Sequence, residues 1–268
     1  GRITWIYMGP DQENAPELPK WEWCTLPESH VQHQHKGIYE CNWMQSLEGE
    51  LDTTHVYFLH SRLDEPQNAK QQTDWYLRYR AQDFAPRFSV ADTNYGVLIG
   101  ARRNAEQDGY YWRVTQWLAP FFTMIPRNPG TPLNMRAWVP IDDENCMIYS
   151  IEYRPNRPLT DAEMERSRNW LYIHAETLPD SDRCVANLDN DFLIDRELQA
   201  SGKSYTGLKG FGIQDCGIQE SMGPISDRTR EFLTQSDIMI VRARRKLLQP
   251  GEKGVAVDDE RQRLDDAG

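Results

Sequence analysis

GVLIGARRNAEQDGYYWRVTQWL, residues 96–118, is the stretch that decides the fold. Its two halves, up to Arg103 and from Tyr110 onward, are rich in Val, Ile, Tyr and Trp, the residues that suit a pleated and partly buried surface. Asp108-Gly109 between them is a turn dipeptide. Extended runs joined by so short a link pair antiparallel, because a parallel return needs a crossover of roughly a dozen residues or more. Comparable segments lie on either side, near 86–91, 120–125, 135–141 and 146–153, with Asp142-Asp143-Glu144-Asn145 punctuating the last pair. Residues 28–40 also read as extended.

Elsewhere the period changes. From Asn42 to about Arg62, Met44, Leu47, Leu51, His55 and Leu59 recur at three- and four-residue intervals, which predicts a helix closed by the polar stretch from Asp64 to Gln72. Thr160-Asp161-Ala162-Glu163 is a capping box opening a helix that holds Met164, Trp170 and Leu171, with Asp161 at its positive end. Further helical patterns run from about Asp189 to Gln199 and, after Pro224, in two pieces ending near Leu248. The opening GRITWIYMGP reads as a strand running into a turn, followed by a connector through Pro27. Residues 249–268 hold few apolar side chains and read as a polar surface tail. The sum is an α+β fold, an antiparallel β-sheet covered by helices, with no internal repeat.

Composition narrows the function. At 268 residues the chain is one large domain or at most two. A formal charge of -11 argues against a nucleic-acid partner, and the basic run from Arg242 to Lys246 reads as the solvated side of a terminal helix. Neither a membrane-length apolar run nor a signal peptide is visible, so no membrane partner and a cytoplasmic location are expected. Cys24, Cys41, Cys146, Cys184 and Cys216 are scattered and odd in number, which favours reduced thiols. No base partner for a nucleophilic Cys216 is evident.

The chemistry concentrates in ECNWMQSLEGELDTTHVYFLH, residues 40–60, where Asp52, His55 and His60 stand in the order D-x-x-H-x-x-x-x-H. Two imidazoles and a carboxylate with open coordination positions form the facial triad of non-haem Fe(II) oxygenases. The five-residue interval places the two rings about 140° apart on an ideal helix. Both reach one ion only if the helix ends, tightens or carries a π-type bulge. Asp52 is placed to hold the far nitrogen of His55, with Glu48 one turn earlier able to prop it. Two histidines satisfied by hydrogen bonds on an amphipathic helix are the plainer alternative. A third ligand is best sought in GFGIQDCGIQESMGPISDR, residues 210–228, where Asp215 lies between Gly212 and Gly217 at a point where a helix could begin. On spacing alone, an isolated Asp there is better read as a helix cap.

NWMQSLEGELDTTHVYFLH, YWRVTQWLAPFFTMIPR, AWVPIDDEN and IQDCGIQESMGPISDR together resemble the catalytic domain of Rieske-type non-haem iron oxygenases, in particular the phthalate dioxygenase and vanillate demethylase group. The resemblance runs from the opening segment to about Leu248. It implies a helix-grip-like fold, with mononuclear Fe(II) held by His55, His60 and Asp215. It implies further that Asp52 links the iron to a Rieske 2Fe–2S cluster on a neighbouring subunit of a trimer. Such a cluster needs C-x-H and C-x-x-H pairs, and none of the five cysteines has a His two or three residues later. His30, His33 and His35 cannot replace them, and their alternation fits exposed imidazoles on one strand face. Residues 1–27 are then expected to be the linker and opening strand after a Rieske domain lying outside this chain, residues 28–248 the iron domain, and 249–268 the tail.

The implied activity is reductive O2 activation: hydroxylation or O-demethylation of an aromatic substrate, with electrons relayed from NAD(P)H through a reductase or ferredoxin. Tyr111, Trp117, Phe121, Phe122 and Trp138 could line an aromatic cavity, and Arg102, Arg103 and Arg136 could hold a substrate carboxylate. Two other classes compete: a zinc hydrolase on the same His, His and Asp, using Glu48 or Glu50 as base, and a metal-free module for apolar ligands.

Overall fold

The computed structural model describes residues 3–15, 17–18, 20–60, 75–168 and 174–249. The hairpin over residues 96–118 is formed as expected. β3 (Gly96–Asn104) and β4 (Tyr110–Leu118) pair antiparallel from Gly96 opposite Leu118 to Asn104 opposite Tyr110. Gln107 and Asp108 take φ of +54° and +64° in the turn, and Ala105 N–H donates to Gly109 O at 2.9 Å. The other strands are β1 (Val31–Tyr39), β2 (Arg87–Asp92), β5 (Phe122–Met124), β6 (Leu133–Pro140) and β7 (Cys146–Tyr153). They form one antiparallel sheet in the order β1-β7-β6-β5-β4-β3-β2.

Helices α1 (Glu22–Thr25), α2 (Trp43–Leu51), α3 (Trp75–Gln82), α4 (Asp161–Arg168), α5 (Arg196–Ala200), α6 (Phe211–Ser221) and α7 (Ile238–Leu248) complete the α+β arrangement. The main core lies between one sheet face and α2, α6 and α7, where Leu47, Ile99, Trp117, Trp138, Cys216 and Met239 are almost fully buried. Trp23, Phe122, Met135, Ile151 and Tyr153 make a second core on another part of the sheet. Burial on both sides explains why β6 and β7 are apolar in long runs rather than in strict alternation.

Several expectations change. Residues 3–8 form no strand; Trp5 packs its ring against Phe122, so this segment adheres through side chains instead of joining a sheet edge. The helix after Asn42 stops at Leu51, and the Asp189–Gln199 helix is broken, because Asp191 and Phe192 take φ of +53° and +51° before α5 begins. The capping box is intact: Thr160 N–H donates to Glu163 Oε2 at 2.9 Å and Glu163 N–H to Thr160 Oγ1 at 3.2 Å. Arg62, the polar stretch from Asp64 to Gln72, Trp170, Leu171 and the tail from residue 250 lie outside the described residues. No described helix is long and apolar enough to cross a membrane.

Candidate metal centre

The early end of α2 resolves the awkward histidine interval. Asn42 caps its start by accepting from Met44 N–H at 3.0 Å, and Asp52 leaves the helix with extended φ and ψ of -77° and 116°. The Asp52 carboxylate then accepts from the amides of Thr54 at 2.6 Å and His55 at 3.1 Å, starting a single 3-10 turn over His55–Tyr57. The chain between the histidines is therefore a tight turn, and its geometry replaces the 140° divergence of a straight helix. The His55 and His60 rings end 5.2 Å apart, centroid to centroid.

Asp215 comes from the other side. α6 begins at Phe211 after Gly210, whose φ of 116° suits glycine, so Asp215 stands inside the helix and is not its cap. Gly217 keeps the helix close to its neighbours, since a Cβ there would meet Leu208 Cδ1 at 3.2 Å. Asp215 Oδ1 lies 3.6 Å from His55 Nε2 and 3.2 Å from His60 Nε2. Among the described residues this is the one group of three or more His, Cys, Asp or Glu side chains whose ligand atoms converge, all within 4.8 Å of one another.

The ring nitrogens facing away from Asp215 are also occupied. His60 Nδ1 is 2.7 Å from Gln214 Oε1, and His55 Nδ1 is 3.4 Å from Asp52 Oδ2, an ionic contact without hydrogen-bond alignment. Burial opposes charge on both members of the latter pair. Even so, Asp52 and Asp215 raise the pKa of His55, while His55 and the two amides lower that of Asp52. With His60 Nδ1 directed to an amide oxygen, its Nε2 faces a carboxylate oxygen at 3.2 Å, a separation bridged either by a ring proton or by a metal ion. At metal–ligand bonds of roughly 2.1 Å, adjacent corners of a coordination shell are about 3 Å apart, so the donor set fits one ion.

A cavity of about 420 Å³ adjoins the triad. Its wall carries five arginines, Arg80, Arg113, Arg127, Arg136 and Arg166, against three carboxylates, Glu50, Asp52 and Asp215, in a chain whose net charge is -11. Arg136 and Glu50 form a buried ion pair. Arg127 meets Glu152 Oε1 at 2.9 Å. Burial lowers its pKa, Glu152 opposes this, and the charges of Arg166 and Arg113 lower it further; Arg113 itself donates to Pro126 O at 2.6 Å, next to Arg127.

Other expected contributors are elsewhere. Arg103 is buried, but its Nε donates to Asp83 O at 2.9 Å, and Arg102 lies 4.1 Å over the Tyr110 ring beside a separate groove. Neither lines the cavity. Glu48 does not prop Asp52; Arg228 and Arg244 hold it, the latter at 2.6 Å. Of the five aromatic residues, Trp138 lines the cavity, whereas Trp117 and Phe122 are core and Tyr111 packs against Trp75 and Tyr79. His35 is not an exposed imidazole: it stacks on buried His174 at 4.7 Å, and a register shift between His33 and His35 breaks the alternation. Arg113 could have been found, since it shares the strand face of Thr115 and Trp117; Arg80, Arg127, Arg166 and Gln214 carry no comparable local signal.

Residues 6–260 match the family model described as LigXa C-terminal domain like. The chain is 35% identical over 271 residues to the oxygenase subunit of 3-chlorobenzoate-3,4-dioxygenase from Comamonas testosteroni, covering 92% of this chain and 59% of the relative. It is 35% identical to the phthalate 4,5-dioxygenase oxygenase subunit of Pseudomonas putida, covering 97% and 60%. It is 26% identical to the 5,5'-dehydrodivanillate O-demethylase oxygenase subunit of a Sphingobium strain, covering 94% and 51%. The chain thus spans only some 60% or less of the length of these relatives. The chain therefore belongs to the LigXa C-terminal-domain-like family, and its relatives here are oxygenase subunits of two dioxygenases and an O-demethylase.

Proposed function

We propose that this chain is the mononuclear iron part of an oxygenase that hydroxylates or O-demethylates an aromatic carboxylate. The observation that carries the reading is the convergence of His55, His60 and Asp215 at the wall of an arginine-rich cavity. His55 Nε2, His60 Nε2 and Asp215 Oδ1 would hold the metal, leaving positions toward the cavity open. When bound, ferrous iron supplies an open, redox-active centre at which O2 can be reduced. The chain's own side chains do the rest. Arg113, Arg127 and Arg166 on the cavity wall supply guanidinium donors for the substrate carboxylate, and Trp138 lines the space for its ring. Arg136 is neutralised by Glu50. Relatives named for 3-chlorobenzoate and phthalate, both aromatic carboxylates, support this substrate class.

Asp52 accepts two backbone amides while touching His55, so it both shapes the turn and stands behind the ligand. We assign it the link to an electron donor on a neighbouring subunit of a homotrimer. The five cysteines and six histidines of this chain contain no C-x-H or C-x-x-H pair, so they do not fit a Rieske cluster. The cluster is assigned to another part of the complete protein, reloaded by a reductase or ferredoxin. A zinc hydrolase is less well supported: Glu48 is held by two arginines away from the cavity, and Glu50 is committed to Arg136.

The test is turnover of a benzoate- or phthalate-type substrate by the complete protein with its electron donors under ¹⁸O2. The expected product carries ¹⁸O from the gas. Label taken only from H2¹⁸O, or hydrolysis with zinc in place of iron, would contradict the assignment.

A further inference from the structure

The geometry points to Gln214 as a positioning residue that sets the tautomer and direction of His60 for metal binding, an inference that rests on the metal reading above. Gln214 is buried within α6, immediately before Asp215. Its amide has two ends with different tasks. Nε2 donates to Leu208 O at 3.1 Å, and because a carbonyl oxygen only accepts, this contact fixes which end of the amide is nitrogen. Oε1 is thereby turned to His60 Nδ1, 2.7 Å away. An amide oxygen also only accepts, so Nδ1 carries a proton and Nε2 is the nitrogen turned to the point shared with Asp215 and His55, free to ligate when the ring is neutral. One helix therefore supplies both a carboxylate ligand and, from the preceding residue, the group that aims a histidine ligand. The chain of constraint runs from the Leu208 carbonyl through Gln214 to the His60 ring.

The two histidines are supported differently. Behind His55 stands the carboxylate of Asp52 at 3.4 Å, whereas behind His60 stands a neutral amide at a shorter distance. A carboxylate behind each, together with Asp215, would place three negative charges around one ion. The amide orients the second ring without adding one.

Gln214→Leu and Gln214→Glu separate aiming from packing. Leu removes the acceptor at Nδ1; Glu keeps an acceptor oxygen for His60 but loses the donor to Leu208 O. Anaerobic Fe(II) binding is measured by competition with a chromophoric chelator, with thermal melting of the metal-free chain as the control for folding. We expect wild type to bind one Fe(II), Gln214→Leu to bind about 10–100-fold more weakly, and Gln214→Glu, which keeps the acceptor for His60 but loses the Leu208 contact, to be weakened clearly less than Gln214→Leu. The Co(II) d–d spectrum should shift in the Leu variant and be retained in the Glu variant. Wild-type affinity in Gln214→Leu, or equal weakening in both variants, would overturn the positioning role. Failure of wild type to bind Fe(II) at all would instead overturn the metal reading beneath it.

Discussion

The two ends of the cavity are built on opposite principles. At the metal end, Asp52, His55, His60 and Asp215 come from two short segments whose backbone geometry is tightly specified: an Asx-type turn after α2 and the interior of α6. At the other end, Arg113 lies on β4, Arg127 on the loop after β5 and Arg166 on α4, so three separate elements contribute one long side chain each. The difference teaches where precision is needed. Metal ligands must agree to within fractions of an ångström, whereas a guanidinium reaches a carboxylate from several backbone positions.

The largest effect should come from the metal end. Asp215→Ala is expected to abolish Fe(II) retention while leaving far-UV circular dichroism unchanged; metal analysis after desalting reads this, and full occupancy would break the comparison at once. A second test probes the protein behind Arg136. Burial and the Arg136 charge hold His35 at a pKa of about 4, with Asp182 opposing. Its folded pKa lies below the unfolded value, so the unfolded chain binds the extra proton and stability falls as pH drops from about 6.5 to 4, by up to ~3 kcal/mol. Urea melts at pH 7 and pH 4.5 should show that loss, and His35→Phe should remove part of the pH dependence. An unchanged slope would remove His35 as its source.

At the arginine end the effects should be smaller and graded. Arg166→Ala is expected to weaken binding of a benzoate-type ligand by about tenfold, roughly 1.4 kcal/mol, without changing Fe(II) content. Calorimetry at two salt concentrations checks this, because a partly exposed charge contact should weaken with salt. An effect on iron but not on ligand would merge the two ends. The smallest predicted change is in Fe(II) affinity after Asp52→Asn, less than about tenfold, while turnover in the complete protein falls much further. Normal turnover would release Asp52 from the electron path.

The same contrast governs what could be read from the chain. Six of the seven described strands follow directly from β-branched and aromatic runs bounded by turn residues, whereas His55, His60 and Asp215 are brought together in the sequence only by the family resemblance, since spacing alone reads Asp215 as a helix cap. The early end of α2 was not legible, because Asp52 competes for the backbone through its side chain while the apolar spacing continues past it to Leu59. The break at Asp191 and Phe192 was hidden in the same way. Arg102 and Arg103 suggest themselves for the cavity because strand arginines look alike in sequence. Arg103 is instead taken up by the carbonyl of Asp83, a partner that the strand pattern does not announce. Gln214 was invisible because its role depends on a histidine 154 residues away.

The most direct test of the central claim is an anomalous difference map, collected at the iron edge, from crystals of the anaerobically Fe(II)-loaded chain. The account predicts one peak within bonding distance of His55 Nε2, His60 Nε2 and a carboxylate oxygen of Asp215, open on the side of the cavity. A peak bound elsewhere, or none at this triad with the metal saturating, would contradict it.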